Sequence, residues 1–370
     1  MLLVESKPLS LRRTLRRLRS FLSGSLPPYA GGVLFTLGST ALGLAVPLVF
    51  RFVVDQVIGD APVALPRLLA RGLEALGGLP VLRRSLWIAG LLLLGLNLLD
   101  GVMNFFKGRW MAIVSERTAI RIRRDLYRHL QALPYSFHSR AETGDLVQRC
   151  TSDVETVRRF ISMQFLEIVR CVFLVAASLG VMLLMDIPAT LVSLAVTPLV
   201  FGLSLLYFRK ERDAFRKWDE AEGALSTLLQ ENLTGVRVVR AFARQAFERE
   251  KFEERNRGLR DFGFRLFRLI ADFWMLSDLL CLVQIAAATI FGVVRVLQGA
   301  ISVGTLIVFV SYVEMMIYPL RSLARVLADA GKMHVSLGRI DDILSTPAEP
   351  DDDDLLAPDI LGAVEFDHVT

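Results

Sequence analysis

An all-α membrane protein, six transmembrane helices continued by long polar extensions, is the fold class this sequence predicts. Three observations predict it. Of 370 residues, 53% are hydrophobic, more than a water-soluble core uses, and the surplus gathers in runs of membrane length. Several of those runs pass into charged sequence with nothing to stop a helix. The run Ile187 to Phe208 continues through Arg209, Lys210, Glu211, Arg212 and Asp213 with only isolated glycines, Gly223 and Gly235, before Val239. A helix from Ala189 to Val239 would be roughly 75 Å long, and the hydrocarbon core takes only about 30 Å. Finally, the 43 basic residues crowd into some connecting segments and avoid others. That pattern reports topology, and the net charge of +5 is not read as a nucleic-acid footprint.

In chain order, Leu9 to Leu22 predicts a basic amphipathic helix. Leu11, Leu15, Leu18 and Leu22 share one face, and Arg12, Arg13, Arg16, Arg17 and Arg19 cover the other. Such a helix suits a headgroup layer. A signal peptide is excluded because arginines interrupt the apolar residues before Pro27-Pro28. The first span is Tyr29 to Ile58, containing Pro47 and Asp55. An outer loop follows to Pro80, with a short helix expected over Pro66 to Leu76. The second span begins near Leu86 and runs on as polar helix to Leu133, where Pro134 ends it. The third covers about Met163 to Met185, and Asp186-Ile187-Pro188 turns tightly into the fourth. After a turn at Phe242, a charged helix returns to a fifth span, Phe273 to Leu297. The sixth, Thr305 to Leu320, continues as helix to Leu344.

Basic residues fill the amino terminus, Lys107 to Arg149, Arg209 to Arg268 and Arg321 to Arg339. The positive-inside rule then puts both termini and both long extensions in the cytosol of a multi-pass plasma or inner membrane protein. Residues 345–361, acidic and rich in proline, read as a solvated linker. Residues 362–370 alternate like a strand. The three cysteines, Cys150, Cys171 and Cys281, lack disulfide or metal spacing and read as apolar packers. His138 has no second ligand spaced to make a metal site. Polar residues at membrane depth are costly and mark wet interiors or partners, so Asn97, Asn104, Arg170, Gln284 and Glu314 are the candidate substrate-cavity residues.

Five sets of residues carry a family resemblance. Glu231-Asn232-Leu233-Thr234-Gly235-Val236, followed by Val238-Val239-Arg240-Ala241-Phe242, resembles the second intracellular loop of ABC exporters. Leu133-Pro134, an aromatic turn, Thr143-Gly144-Asp145-Leu146, Arg149 and Asp153 resemble the first. Pro47 with Asp55, Gly299 with Gly304, and Pro319-Leu320 with Ala330, Ser336, Arg339-Ile340 and Ile343-Leu344 match further stretches in order. The resemblance runs from Leu9 to Thr370. It implies an amino-terminal elbow helix (1–25), a six-helix exporter transmembrane domain (26–344), the linker, and the first strand of a nucleotide-binding domain. It implies coupling helices at Tyr135, Ser136, Phe137 and His138, and at Ala241, Phe242, Ala243, Arg244 and Phe247. It implies a homo- or heterodimer of half-transporters seated on nucleotide-binding domains in membrane lipid.

The implied function is the permease of an exporter that moves a lipid, drug or peptide-like substrate out of the cytoplasm or inner leaflet by alternating access. ATP and Mg would serve the whole protein, an ATP-hydrolysing translocase. The sequence contains no G-x-x-x-x-G-K-[ST] loop, so nucleotide-binding motifs are expected beyond Thr370 and no residue here is catalytic. Two rival readings are a regulatory or channel-like ABC-fold protein and an ion-driven secondary transporter, which would show short loops and helices broken at mid-membrane.

Overall fold

The computed structural model describes residues 10–59, 78–349, 362, 366 and 367. Among the described residues all regular structure is helical, and six helical runs are long and apolar enough to cross a membrane. The loop expected to hold a short helix over Pro66 to Leu76 lies outside the described residues, as does most of 350–370.

Helix α1, Leu11–Leu22, leads into α2, Leu26–Phe52, whose last turn is π-helical over Val53–Ile58. A short α3, Gly78–Arg84, precedes α4, Trp87–Gln131. The turn helix α5, Tyr135–His138, is followed by α6, Thr143–Gln148. From there helix continues through a π-helical turn at Arg149–Asp153, α7 at Val154–Arg159 and a second π turn at Phe160–Gln164 into α8, Phe165–Met185. Then come α9, Ile187–Leu194, α10, Thr197–Thr234, and α11, Val236–Ala241. Two long helices close the chain: α12, Gln245–Leu297, and α13, Val303–Ser345.

One end of the bundle holds short turns, the other the polar extensions. At the short-turn end, the Asp186 carboxylate accepts from the Ala189 amide at 2.8 Å and caps α9. It also pairs with Arg295 at 2.5 Å, tying the hairpin to α12. At membrane depth one apolar cluster includes Leu44, Leu174, Met182, Ala288, Phe309 and Tyr312. Toward the polar end a second includes Phe21, Ile122, Leu126, Val154, Leu337 and Ile340. Glycine lets α2 and α4 touch: a methyl on Gly31 would overlap the Trp110 ring at 1.5 Å. Large apolar side chains such as Leu98, Phe105, Leu184 and Ile290 stand exposed along the spans. That is the outside expected of a protein solvated by lipid.

The structure corrects two expectations. The single helix from Ala189 to Val239 is three helices, broken at Ala195–Val196 and again at Gly235. Pro198 causes the first break: it has no N–H, and its ring excludes the carbonyl four residues back. The second correction concerns α1. Its protein-facing residues are Thr14, Leu18, Phe21 and Leu22, with Arg17 half-buried beside them, while Leu15 is 58% exposed. Arg13 and Arg17 both turn to Asp341. A carboxylate only 3% exposed is costly to bury unless it is paired, and two guanidiniums pair with it here. Arg12, Arg16 and Arg19 remain on the outward face.

Candidate functional site

The polar end carries two turns that the sequence singles out. In the first, Leu133 is buried and Pro134 sets the entry to α5. Phe137 packs on the apolar cluster, while Tyr135 is 83% exposed. Ser136 and His138 are exposed as well, and a His138 ring nitrogen lies 3.0 Å from the Leu130 carbonyl oxygen. One aromatic anchors the turn and the other is displayed.

In the second turn, the Gly235 amide donates to Glu231 at 2.8 Å and the chain restarts as α11. Ala243 sits at φ 51°, a left-handed conformation that reverses the chain. The Arg244 amide donates back to the Val239 carbonyl at 3.0 Å. Asn232 Nδ2 donates to Glu248 at 2.9 Å, pinning the outgoing helix to the returning one. Ala241, Ala243 and Arg244 are exposed, Phe242 is 75% exposed and Phe247 56%. The Arg244 guanidinium lies 5.9 Å from the Phe247 ring centroid.

Between the first turn and the tail of α13 lies a charged junction that sequence reasoning missed as a unit. Asp153, carried inward on its π-helical turn, accepts from the Ser336 hydroxyl at 2.8 Å and pairs with Arg339 at 3.4 Å. Arg149 pairs with Asp145 at 2.7 Å and donates to the Arg339 carbonyl at 3.2 Å. A His129 ring nitrogen lies 2.9 Å from the Thr346 carbonyl oxygen, and the Glu349 amide donates to Ala132 at 2.7 Å. The end of α13 is therefore held by α4, the π-helical turn at Arg149–Asp153 and α1 together. Burial pushes the Asp342 carboxyl above its usual range, with the neighbouring Arg149 charge opposing. Burial also raises the Cys150 thiol, as suits a packing cysteine.

The five polar residues predicted within the membrane do not meet in one cavity. Gln284 is buried and donates to the Ser193 carbonyl at 2.9 Å and to Thr197 Oγ1 at 3.0 Å. It thus satisfies a carbonyl at the break before Pro198. Asn104 donates to Ser39 and Asp100, joining α2 to α4, and accepts from Lys107 at 2.6 Å. Arg170 pairs with Glu167 at 2.6 Å and lines a cleft of about 420 Å³ with Lys107, Glu116 and Arg158. Asn97 sits in an apolar depression of about 460 Å³ on α4 and donates only to its own helix. Glu314 is exposed and has no hydrogen bond or ion pair among the described residues.

The motif residues do meet, in pairs. Asp153, from the first loop motif, contacts Ser336 and Arg339 from the last. Asp55 accepts the Gly304 amide at 2.8 Å and the Ser302 hydroxyl. Residues 30–320 match the ABC transporter transmembrane region family. The chain belongs to this family. Among its relatives is the Bacillus subtilis ABC transporter ATP-binding protein YknU, 26% identical over 96% of this chain and 58% of its own. A fatty acid ABC transporter ATP-binding/permease protein of Mycobacterium bovis is 26% identical over 75% of this chain and 44% of its own. An ATP-dependent lipid A-core flippase of Bordetella pertussis is 27% identical over 77% and 46%. The chain thus spans 58% or less of the length of these curated relatives. It is an exporter-type ABC transmembrane domain, and a multi-pass membrane protein.

Proposed function

We propose that this domain is the permease of an ATP-driven exporter that carries an amphipathic cargo, of lipid, drug or peptide-like chemistry, by alternating access. The polar end, with both termini, faces the cytosol. Two half-transporters pair, and the turns displaying Tyr135 and Phe242 act as coupling helices on ATP- and Mg-binding domains. Drawing those domains together would swing the extensions and reopen the cavity outward. Arg170, Asn97 and Glu314 are the proposed cavity residues. Asn104 and Gln284 are assigned to helix packing.

One observation carries this reading. The helices run far past any bilayer and end in turns that expose aromatic rings. α12, at 53 residues, is about 80 Å long at 1.5 Å per residue. An ion-driven carrier has no use for such levers. The break at Ala195–Val196 is the one feature that rival would share. The discriminating experiment follows a fluorescent amphiphile in vesicles containing the intact protein. Movement should require Mg-ATP and ignore an imposed proton or sodium gradient. Gradient-driven movement without nucleotide would overturn the proposal.

A further inference from the structure

Three helical runs bring aromatic and basic side chains together at the membrane edge nearest the polar extensions. Tyr207 and Phe208 come from α10, Phe273 and Trp274 from α12, and Tyr318, Arg321 and Arg325 from α13. Counted at 1.5 Å per residue from the short-turn end, Tyr207 lies about 30 Å down, Trp274 about 35 Å and Arg321 about 27 Å. A hydrocarbon core of about 30 Å ends there. These side chains line a cavity of about 210 Å³, with Glu211 its one carboxylate. Tyr207 and Phe273 stack at 4.0 Å between centroids and stiffen the wall.

Arg321 is the unusual member. An arginine at this depth ordinarily snorkels to water. Arg321 instead has a side chain only 9% exposed, with its guanidinium 5.7 Å from the Trp274 ring centroid. Nη1 donates to Asp278 at 2.7 Å, but Nε is buried with no hydrogen-bond partner among the described residues. Asp278 is 61% exposed and sits off the cavity. Arg325, one turn on, lines the same space and makes no hydrogen bond or close ion pair among the described residues; Glu211 answers it at longer range. Like charges four residues apart on a helix repel. An oxyanion between them relieves that repulsion and takes the open donor, and guanidinium geometry suits phosphate and carboxylate. The volume admits a headgroup and leaves the acyl chains in the bilayer, against interfacial rings.

We propose that this cavity binds the phosphate or carboxylate of an anionic lipid in the leaflet on the polar side. Arg321 and Arg325 are its donors, with Trp274 and Tyr318 against its glycerol. The site is independent of what the exporter carries. The test reconstitutes the intact protein in phosphatidylcholine nanodiscs containing a trace of photoactivatable phosphatidylglycerol or phosphatidylcholine, with adducts mapped by mass spectrometry. Both lipids bring the phosphate, but phosphatidylcholine adds a quaternary ammonium that meets Arg321 and Arg325 as a like charge, so phosphatidylglycerol should label the Trp274 and Tyr318 peptides about tenfold more. Arg325→Gln, at an exposed position that tolerates change, should cut that preference, and Arg321→Gln with it should abolish it. Labelling of the α1 peptides should stay constant in both. Equal labelling by the two lipids, or a preference unchanged in the variants, overturns the proposal. So does loss of labelling to excess inorganic phosphate, which would make this a soluble-anion site.

Discussion

Gly304 has no room for a side chain. A methyl there would lie 2.7 Å from the Asp55 carboxylate and 2.8 Å from the Arg51 Cα. Asp55 sits against it to cap α13, and Arg51 steadies the carboxylate at 3.6 Å. Gly304→Ala should therefore strain both helices and cost about 1–3 kcal/mol, as overpacking does. Thermal unfolding in detergent measures it, and an unchanged midpoint would show that the contact yields freely. At this scale the sequence was half legible. Pro47 with Asp55, and Gly299 with Gly304, stood out as two patterns. That Asp55 and Gly304 form one contact could not be read, because a single sequence carries no trace of a partner 249 residues away. Asp153 with Ser336, 183 residues apart, makes the same point. The arginines of α1 were read as a lipid-facing set, since nothing local marks Asp341 as the buried acid that claims two of them.

The elements themselves were plain in the sequence, because twenty or so apolar residues admit little but a spanning helix. Their interruptions were not. Pro198 lies inside an apolar run, where its neighbours alone do not say whether the helix bends or stops. The answer depends on Gln284, a donor supplied by α12 to the Ser193 carbonyl. The same bond is the reason Gln284 is assigned to helix packing in the proposed function. Gln284→Leu should leave that carbonyl unsatisfied and destabilise the protein by about 1–3 kcal/mol. Pro198→Ala supplies an amide that lets the helix close, so it should restore part of the loss in the double variant. Unfolding midpoints of the two single variants and the double variant form the cycle. Strictly additive effects would separate Gln284 from the break.

For the whole molecule, the account joins a membrane bundle to two distant turns through α10, α12 and the junction that grips α13. The fold class and the position of both turns were legible, since proline, glycine and charge punctuate them. The gripping junction was not, because its members come from four stretches of chain. The central claim is that the second turn transmits force through Phe242, which is 75% exposed at its tip. An aromatic displayed without a partner among the described residues is the kind of anchor that dominates an interface. The most direct test is Phe242→Ala in the intact protein. Nucleotide binding should stay near normal, while cargo-stimulated hydrolysis and transport should fall at least about tenfold, a modest loss for such an anchor. If correctly folded Phe242→Ala protein keeps both stimulated hydrolysis and transport, the second turn is not where this domain is driven.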